Sequence, residues 1–112
     1  MRSYITGLEC PKCKKKHDFR KLTNLCECGS PLLVRYDLDA LSREVKPSDW
    51  QKRPEGLWRY RELLPVLDEK NIVSLGEGGT PVFPLEEMGK KYGLNKLLVK
   101  DEGMNPTGTF KA

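Results

Sequence analysis

The sequence predicts a small β module folded around cysteines, followed by the opening of an α/β unit. Two observations carry this reading: four cysteines fall in two short-spaced pairs, Cys10 with Cys13 and Cys26 with Cys28, and strand and helix signals alternate from Ser74 onward. A third observation concerns stability. Only 38% of the 112 residues are hydrophobic and the mean hydropathy is -0.60, whereas a chain of this size must bury on the order of two-thirds of its unfolded surface to stand alone. The β module therefore needs a stabiliser other than an apolar core.

Residues 1–36 form the first region. From Thr6 to Tyr36 short apolar pieces are separated by turn residues without a helical period, which reads as small strands around tight knuckles. The start has no apolar run of signal-peptide length, and no stretch approaches the roughly 20 apolar residues that span a bilayer. A cytosolic location without membrane contact is expected. In a reducing compartment, closely spaced cysteine pairs serve as metal ligands more often than as disulfides.

The spacing is C-x2-C, twelve residues, then C-x-C. Four thiolates on two knuckles complete a tetrahedral zinc shell, and such a site contributes folding free energy directly. With Cys10, Cys13, Cys26 and Cys28 all ligating, no position is open to substrate, so the expected zinc is structural and the module zinc-ribbon-like. The second knuckle has one spacer residue where zinc ribbons commonly have two, and Gly29 eases its turn. Four reduced structural cysteines without metal are the alternative.

The formal charge is +4, and four thiolates with one divalent ion would change it to +2. Lys12, Lys14, Lys15, Lys16, Arg20 and Lys21 crowd the segment between the knuckles. Such a patch suits phosphate contacts. Phe19 is, however, the sole aromatic there able to stack on a base, so a solvated loop face is the preferred reading and nucleic acid is not an expected partner. His17, the sole histidine, is a fifth candidate ligand and reads as an exposed loop residue.

Residues 37–73 read as a connecting helical arm. Asp39 is positioned to cap a short helix through Val45, and the segment from Leu57 to Leu64 suggests another that ends before Pro65. Trp50, Leu57, Trp58, Leu63 and Leu64 are too few for a separate core, so the arm is expected to pack against another part of the fold.

Residues 74–112 read as the start of an α/β domain. Pro84 is placed near the start of a helix that Gly93 stops, the strand KLLVKDE follows, and TGTFKA begins a further helix. The loop GEGGTP lacks both the Gly-Lys-Ser/Thr of a P-loop and the third glycine of G-x-G-x-x-G. It reads as a turn that brings backbone close to something. In NPTGTFK, Pro106 and Gly108 fix a loop, Asn105 and Thr107 can bond its backbone, and Lys111 falls in the first helical turn. A lysine held in a closed, desolvated site is a usable Schiff-base nucleophile.

The order CxxC, CxCG, LGEGGTP and VKDEGMNPTGTFKA resembles the amino-terminal part of the threonine synthase family across nearly the entire chain. The resemblance implies the incomplete start of a pyridoxal-phosphate-dependent fold type II domain, related to the tryptophan synthase β fold, preceded by a zinc-ribbon-like extension. It implies that Lys111 carries pyridoxal phosphate as a Schiff base and that the ring of Phe110 lies against the cofactor. Gly79 stands where relatives often have Asn. The implied reaction of the intact enzyme converts O-phospho-L-homoserine and water to L-threonine and phosphate, with a homo-oligomer as a possible assembly.

In that family the phosphate-binding loop and most of the sheet follow the lysine segment, so this chain alone is expected to be an inactive piece of the enzyme. The strand KLLVKDE is expected to be an unpaired edge, leaving residues from about Ser74 onward mobile or associating through it. Cysteate synthase, threonine dehydratase and cysteine synthase are alternatives within the same enzyme class. A free-standing zinc-ribbon module that binds nucleic acid or protein is the alternative outside it.

Overall fold

In the computed structural model, which describes residues 2–111, strand β1 (Ile5–Glu9) is the centre of an antiparallel sheet ordered β2-β1-β3. Leu8 of β1 lies opposite His17 of β2 (Lys16–His17) and Val34 of β3 (Leu33–Tyr36), and Glu9 lies opposite Lys16 and Leu33. The register shifts between Ile5 and Gly7. These are the small strands around knuckles that the sequence predicts. His17 departs from its loop reading: it sits in β2, and its Nε2 is buried without a hydrogen-bond partner.

Helix α1 (Leu38–Glu44) begins at Asp37, whose Oδ1 accepts the Ala40 N–H at 2.8 Å. The cap is thus two residues earlier than the expected Asp39, because the backbone of Asp37, at φ of -78° and ψ of 85°, is outside the helical conformation and aims its side chain at the free N–H groups. Asp39 falls in the first turn, where its charge favours the helix dipole. Helix α2 (Pro47–Gln51) uses its proline at the helix start, where a missing N–H costs little.

Contacts gather the chain into two compact units, Met1–Arg53 with Tyr60–Ile72 and Pro54–Arg59 with Val73–Ala112; Met1 and Ala112, the ends of the outer expected regions, lie outside the described residues. In the first unit Tyr4, Ala40 and Leu41 form the buried core, and Tyr36, Val45, Trp50 and Leu63 pack on it. Glu62 is 7% exposed. Its carboxylate accepts from Arg53 Nη2 at 2.6 Å, Arg53 Nη1 at 2.8 Å and Trp50 Nε1 at 3.2 Å, and its carbonyl accepts the Tyr4 N–H at 3.0 Å. The stretch Leu57–Leu63 is 3-10 helix, interrupted at Tyr60 where the backbone leaves helical values.

In the second unit β4 (Val82–Pro84) pairs antiparallel with β5 (Leu98–Lys100), with Phe83 opposite Val99. This corrects the expectation of an unpaired edge in KLLVKDE: a strand partner lies just upstream and takes one row of its hydrogen bonds. Pro84 closes β4 instead of starting the helix, which is α3 (Glu86–Lys91), and Gly93 follows it with a φ of 64°. Beyond β5, Asp101 caps the 3-10 turn Glu102–Met104 by accepting the Gly103 N–H at 2.9 Å. Residues 106–111 form turns and bends where a helix start was expected. Among the described residues no helix is long and apolar enough to cross a membrane.

Candidate metal centre and lysine loop

The two knuckles are built alike. In each, the first cysteine donates its N–H to the carbonyl that closes the turn: Cys10 to Lys15 and Cys26 to Ser30, both at 2.9 Å. In each, the residue after the second cysteine donates its N–H back to the first cysteine's carbonyl: Lys14 to Cys10 at 3.0 Å and Gly29 to Cys26 at 2.8 Å. Both of these residues are left-handed, Lys14 with φ of 63° and Gly29 with φ of 80°. The shorter C-x-C spacer therefore closes the same way as C-x2-C, and glycine removes the cost of the turn there.

This construction brings the four sulfurs together. All lie within 4.8 Å of one another, with Cys10 Sγ 3.6 Å from Cys28 Sγ and Cys13 Sγ 3.5 Å from Cys26 Sγ. A tetrahedral zinc shell with bonds of about 2.3 Å has sulfur–sulfur edges of about 3.8 Å, so the donor set and its spacing fit the ion. Cys10 and Cys26 are buried, while Cys13 and Cys28 face solvent. His17 is not in the cluster.

The electrostatics favour a cation. The N–H of Cys13, 3.4 Å from Cys10 Sγ, pulls the Cys10 thiol down to about 6. The N–H of Cys28 acts the same way on Cys26, yet burial and the thiol groups of Cys13, Cys28 and Cys10 outweigh it and push Cys26 up to about 12. The shifts of Cys10 and Cys26 thus oppose each other, and a divalent ion among the sulfurs would favour the thiolate form of both. Around the knuckles Lys15 pairs with Glu27 at 2.6 Å, and the Arg20 guanidinium lies 4.6 Å from the Phe19 ring centre. The aromatic face considered for base stacking is thus already engaged by a cation.

The second constellation is built on the glycine loop and the lysine loop, both within the second unit. Gly78 is left-handed, with φ of 83°, and a Cβ there would stand 2.7 Å from Leu57 N. Backbone approach explains this glycine, as the turn reading anticipates. Glu77 ties the loop: its carboxylate accepts from Ser74 Oγ and Leu75 N–H, both at 2.8 Å, and from Trp58 Nε1 at 3.1 Å.

Asn105 and Thr80 are buried. The Asn105 side chain accepts the Gly78 N–H at 3.0 Å and donates to the Glu102 carbonyl at 3.0 Å and to Glu102 Oε2 at 3.2 Å. Thr80 Oγ1 donates to Glu102 Oε1 at 2.6 Å, which holds that carboxyl below its usual range, and Lys100 Nζ donates to the Thr80 carbonyl at 2.7 Å. The sequence reading assigned Asn105 to its own loop. Its longer reach was missed, as were Glu102 and Thr80, and the signal available was a short polar cluster, Asp101 and Glu102, directly before the loop.

From Asn105 the loop runs outward. Gly108 N–H donates to the Asn105 carbonyl at 2.7 Å, Thr107 and Thr109 hydroxyls lie 3.2 Å apart, and Lys111 N–H donates to Thr109 Oγ1 at 3.2 Å. Lys111 is exposed and its Nζ lies 5.6 Å from the centre of the Phe110 ring, which is itself 73% exposed. Lys111 thus lies open and not in the closed, desolvated site that the sequence reading asks of a Schiff-base lysine, with its amine over the Phe110 ring; a primary amine beside an aromatic ring is nonetheless a pair of groups that suits a planar aldehyde cofactor.

The chain belongs to the threonine synthase family. It is 46% identical over 102 residues to threonine synthase of Methanocaldococcus jannaschii, covering 91% of this chain and 25% of that protein. It is 35% identical over 105 residues to threonine synthase of Methanosarcina acetivorans, covering 93% of this chain and 25% of that protein. With threonine synthase of Halalkalibacterium halodurans it shares 53% identity over 55 residues, 49% of this chain and 15% of that protein. The chain thus spans about a quarter of the length of the first two of these curated relatives. No family model and no solved structure matches it.

Proposed function

We propose that this chain, similar to threonine synthases over nine-tenths of its length, is the amino-terminal part of such an enzyme. The complete polypeptide converts O-phospho-L-homoserine and water to L-threonine and phosphate with pyridoxal phosphate. The observation that carries this reading is identity of 46% and 35% to two threonine synthases across almost the full chain. Activity belongs to the complete polypeptide.

Residues 74–112 are the start of the fold type II domain. Lys111 would be the attachment point of the cofactor, and the Phe110 ring would pack against it. When bound, pyridoxal phosphate supplies an electron sink that stabilises negative charge on the substrate. The Lys111 amine, once released, holds and moves protons at the reacting carbons as phosphate leaves and water adds. The four cysteines hold a structural zinc that stabilises the β module and takes no part in the reaction. The place of action is the cytosol.

The test is a chimera in which this chain replaces the matching segment of the M. jannaschii enzyme. Phosphate and threonine are measured after addition of O-phospho-L-homoserine. The expected result is release of both, abolished by Lys111→Ala. A folded chimera that binds pyridoxal phosphate but releases neither product overturns the reading.

A further inference from the structure

The described residues bury three polar side chains, and two of them, Thr80 and Asn105, belong to one network in the second unit. The apolar side chains of that unit are largely exposed: Val82, Phe83, Leu98 and Val99 on the two strands are between 42% and 52% exposed. Burial has been given to hydrogen-bonding groups instead. A buried polar network is tolerated when its members are satisfied, and it then fixes one arrangement.

Here the members are satisfied in a directed way. Asn105 Oδ1 takes the Gly78 N–H, while Asn105 Nδ2 is shared between the carbonyl and carboxylate of Glu102. Glu102 is held in turn by Thr80. From this anchored end, bonds from Gly108 to Asn105 and from Lys111 to Thr109, with contact between Thr107 and Thr109, lead to an exposed lysine. The loop is fixed at Asn105 and free at Lys111.

We infer that Asn105 is a positioning residue: through its bond to Gly78 and its pairing with Glu102 it sets where Lys111 presents its amine. This rests on the reading of Lys111 as the cofactor attachment point. Asn105 touches neither cofactor nor reacting atoms. It acts by fixing the base of the loop, and small misplacements of a reacting group can cost about 100-fold in rate.

The experiment uses the same chimera with pyridoxal phosphate, trapping the lysine linkage with borohydride and mapping it by peptide mass. Asn105→Ala is expected to keep its zinc content and melting temperature near the parent's. It should slow trapping at Lys111 at least about tenfold and lower kcat by about 100-fold with little change in KM. If the parent chimera is not labelled at Lys111, the functional reading fails and this inference with it. If the parent is labelled and N105A is trapped and turns over as fast, only the positioning role is overturned. Should N105A fail to fold, N105D serves: it keeps an acceptor for the Gly78 N–H but sets a carboxylate oxygen against the Glu102 carbonyl and carboxylate, so slowed trapping supports the role, and parental trapping and turnover overturn it.

Discussion

Arg53 clasps Glu62 with both terminal guanidinium nitrogens, at 2.6 and 2.8 Å, while the indole of Trp50 donates to the same carboxylate. The Arg53 bonds, ahead of that from Trp50, pull the Glu62 carboxyl down to about 2. A carboxyl with a depressed folded pKa contributes stability that is fully present above its unfolded value, about 4.5, and is lost as pH falls toward its folded one. The first unit is therefore expected to lose on the order of 2 kcal/mol between pH 5 and pH 2 from this group, after allowance for solvent screening. Urea unfolding followed by circular dichroism, with Glu62→Gln as reference, checks this: the gap between parent and variant should narrow as pH falls.

Removal of the proposed zinc should unravel the three-stranded sheet. The low apolar content leaves the knuckles little other stabilisation, and structural zinc sites contribute about 10 kcal/mol or more in apparent binding free energy. Chelation is expected to abolish the strand signal and to expose four reactive thiols. Retention of the β1–β2 amide protection after complete zinc loss would show the metal to be dispensable.

Two glycines in one loop should respond differently to the same substitution. Gly76 and Gly78 are both left-handed, at 85° and 83°, but a Cβ meets nothing within 4 Å at Gly76 and stands 2.7 Å from Leu57 N at Gly78. Gly76→Ala is expected to cost about 1 kcal/mol from conformation alone. Gly78→Ala adds a backbone clash and should cost about twice that or more. Hydrogen exchange of β4 and β5 in the two variants is the measurement, and equal protection would contradict the close approach.

Helix α1 offers a similar contrast. Asp37→Ala removes the side-chain acceptor of the Ala40 N–H and should destabilise the first unit by about 1 kcal/mol. Asp39→Ala removes only a favourable charge in the first turn and should cost about 0.3 kcal/mol. Thermal melts of both variants distinguish the true cap.

What could be read from sequence was local. The cysteine cluster was legible because its ligands lie on two short knuckles, and the turn after Cys28 because glycine marks it. The turn before Lys111 was legible because Pro106 and Gly108 announce it, whereas the helix start expected at Lys111 is absent among the described residues. The pairing of Phe83 with Val99 was not, since strands of three residues carry almost no alternation. The reach of Asn105 to Gly78 was hidden for another reason: a single polar pair distant along the chain leaves no periodic trace. The capping reading erred by two residues because Asp37 and Asp39 are chemically identical, and backbone geometry alone decides between them.

The left-handed residue after the second cysteine of each knuckle, Lys14 in one and Gly29 in the other, has a consequence for how such motifs tolerate insertions. Turn closure depends on that residue and on the carbonyl it meets, so the stretch between the two ligands holds two residues in one knuckle and one in the other while all four sulfurs stay in one cluster. A signature that demands equal spacers would pass over this chain, whereas one keyed to the reversal point would include it.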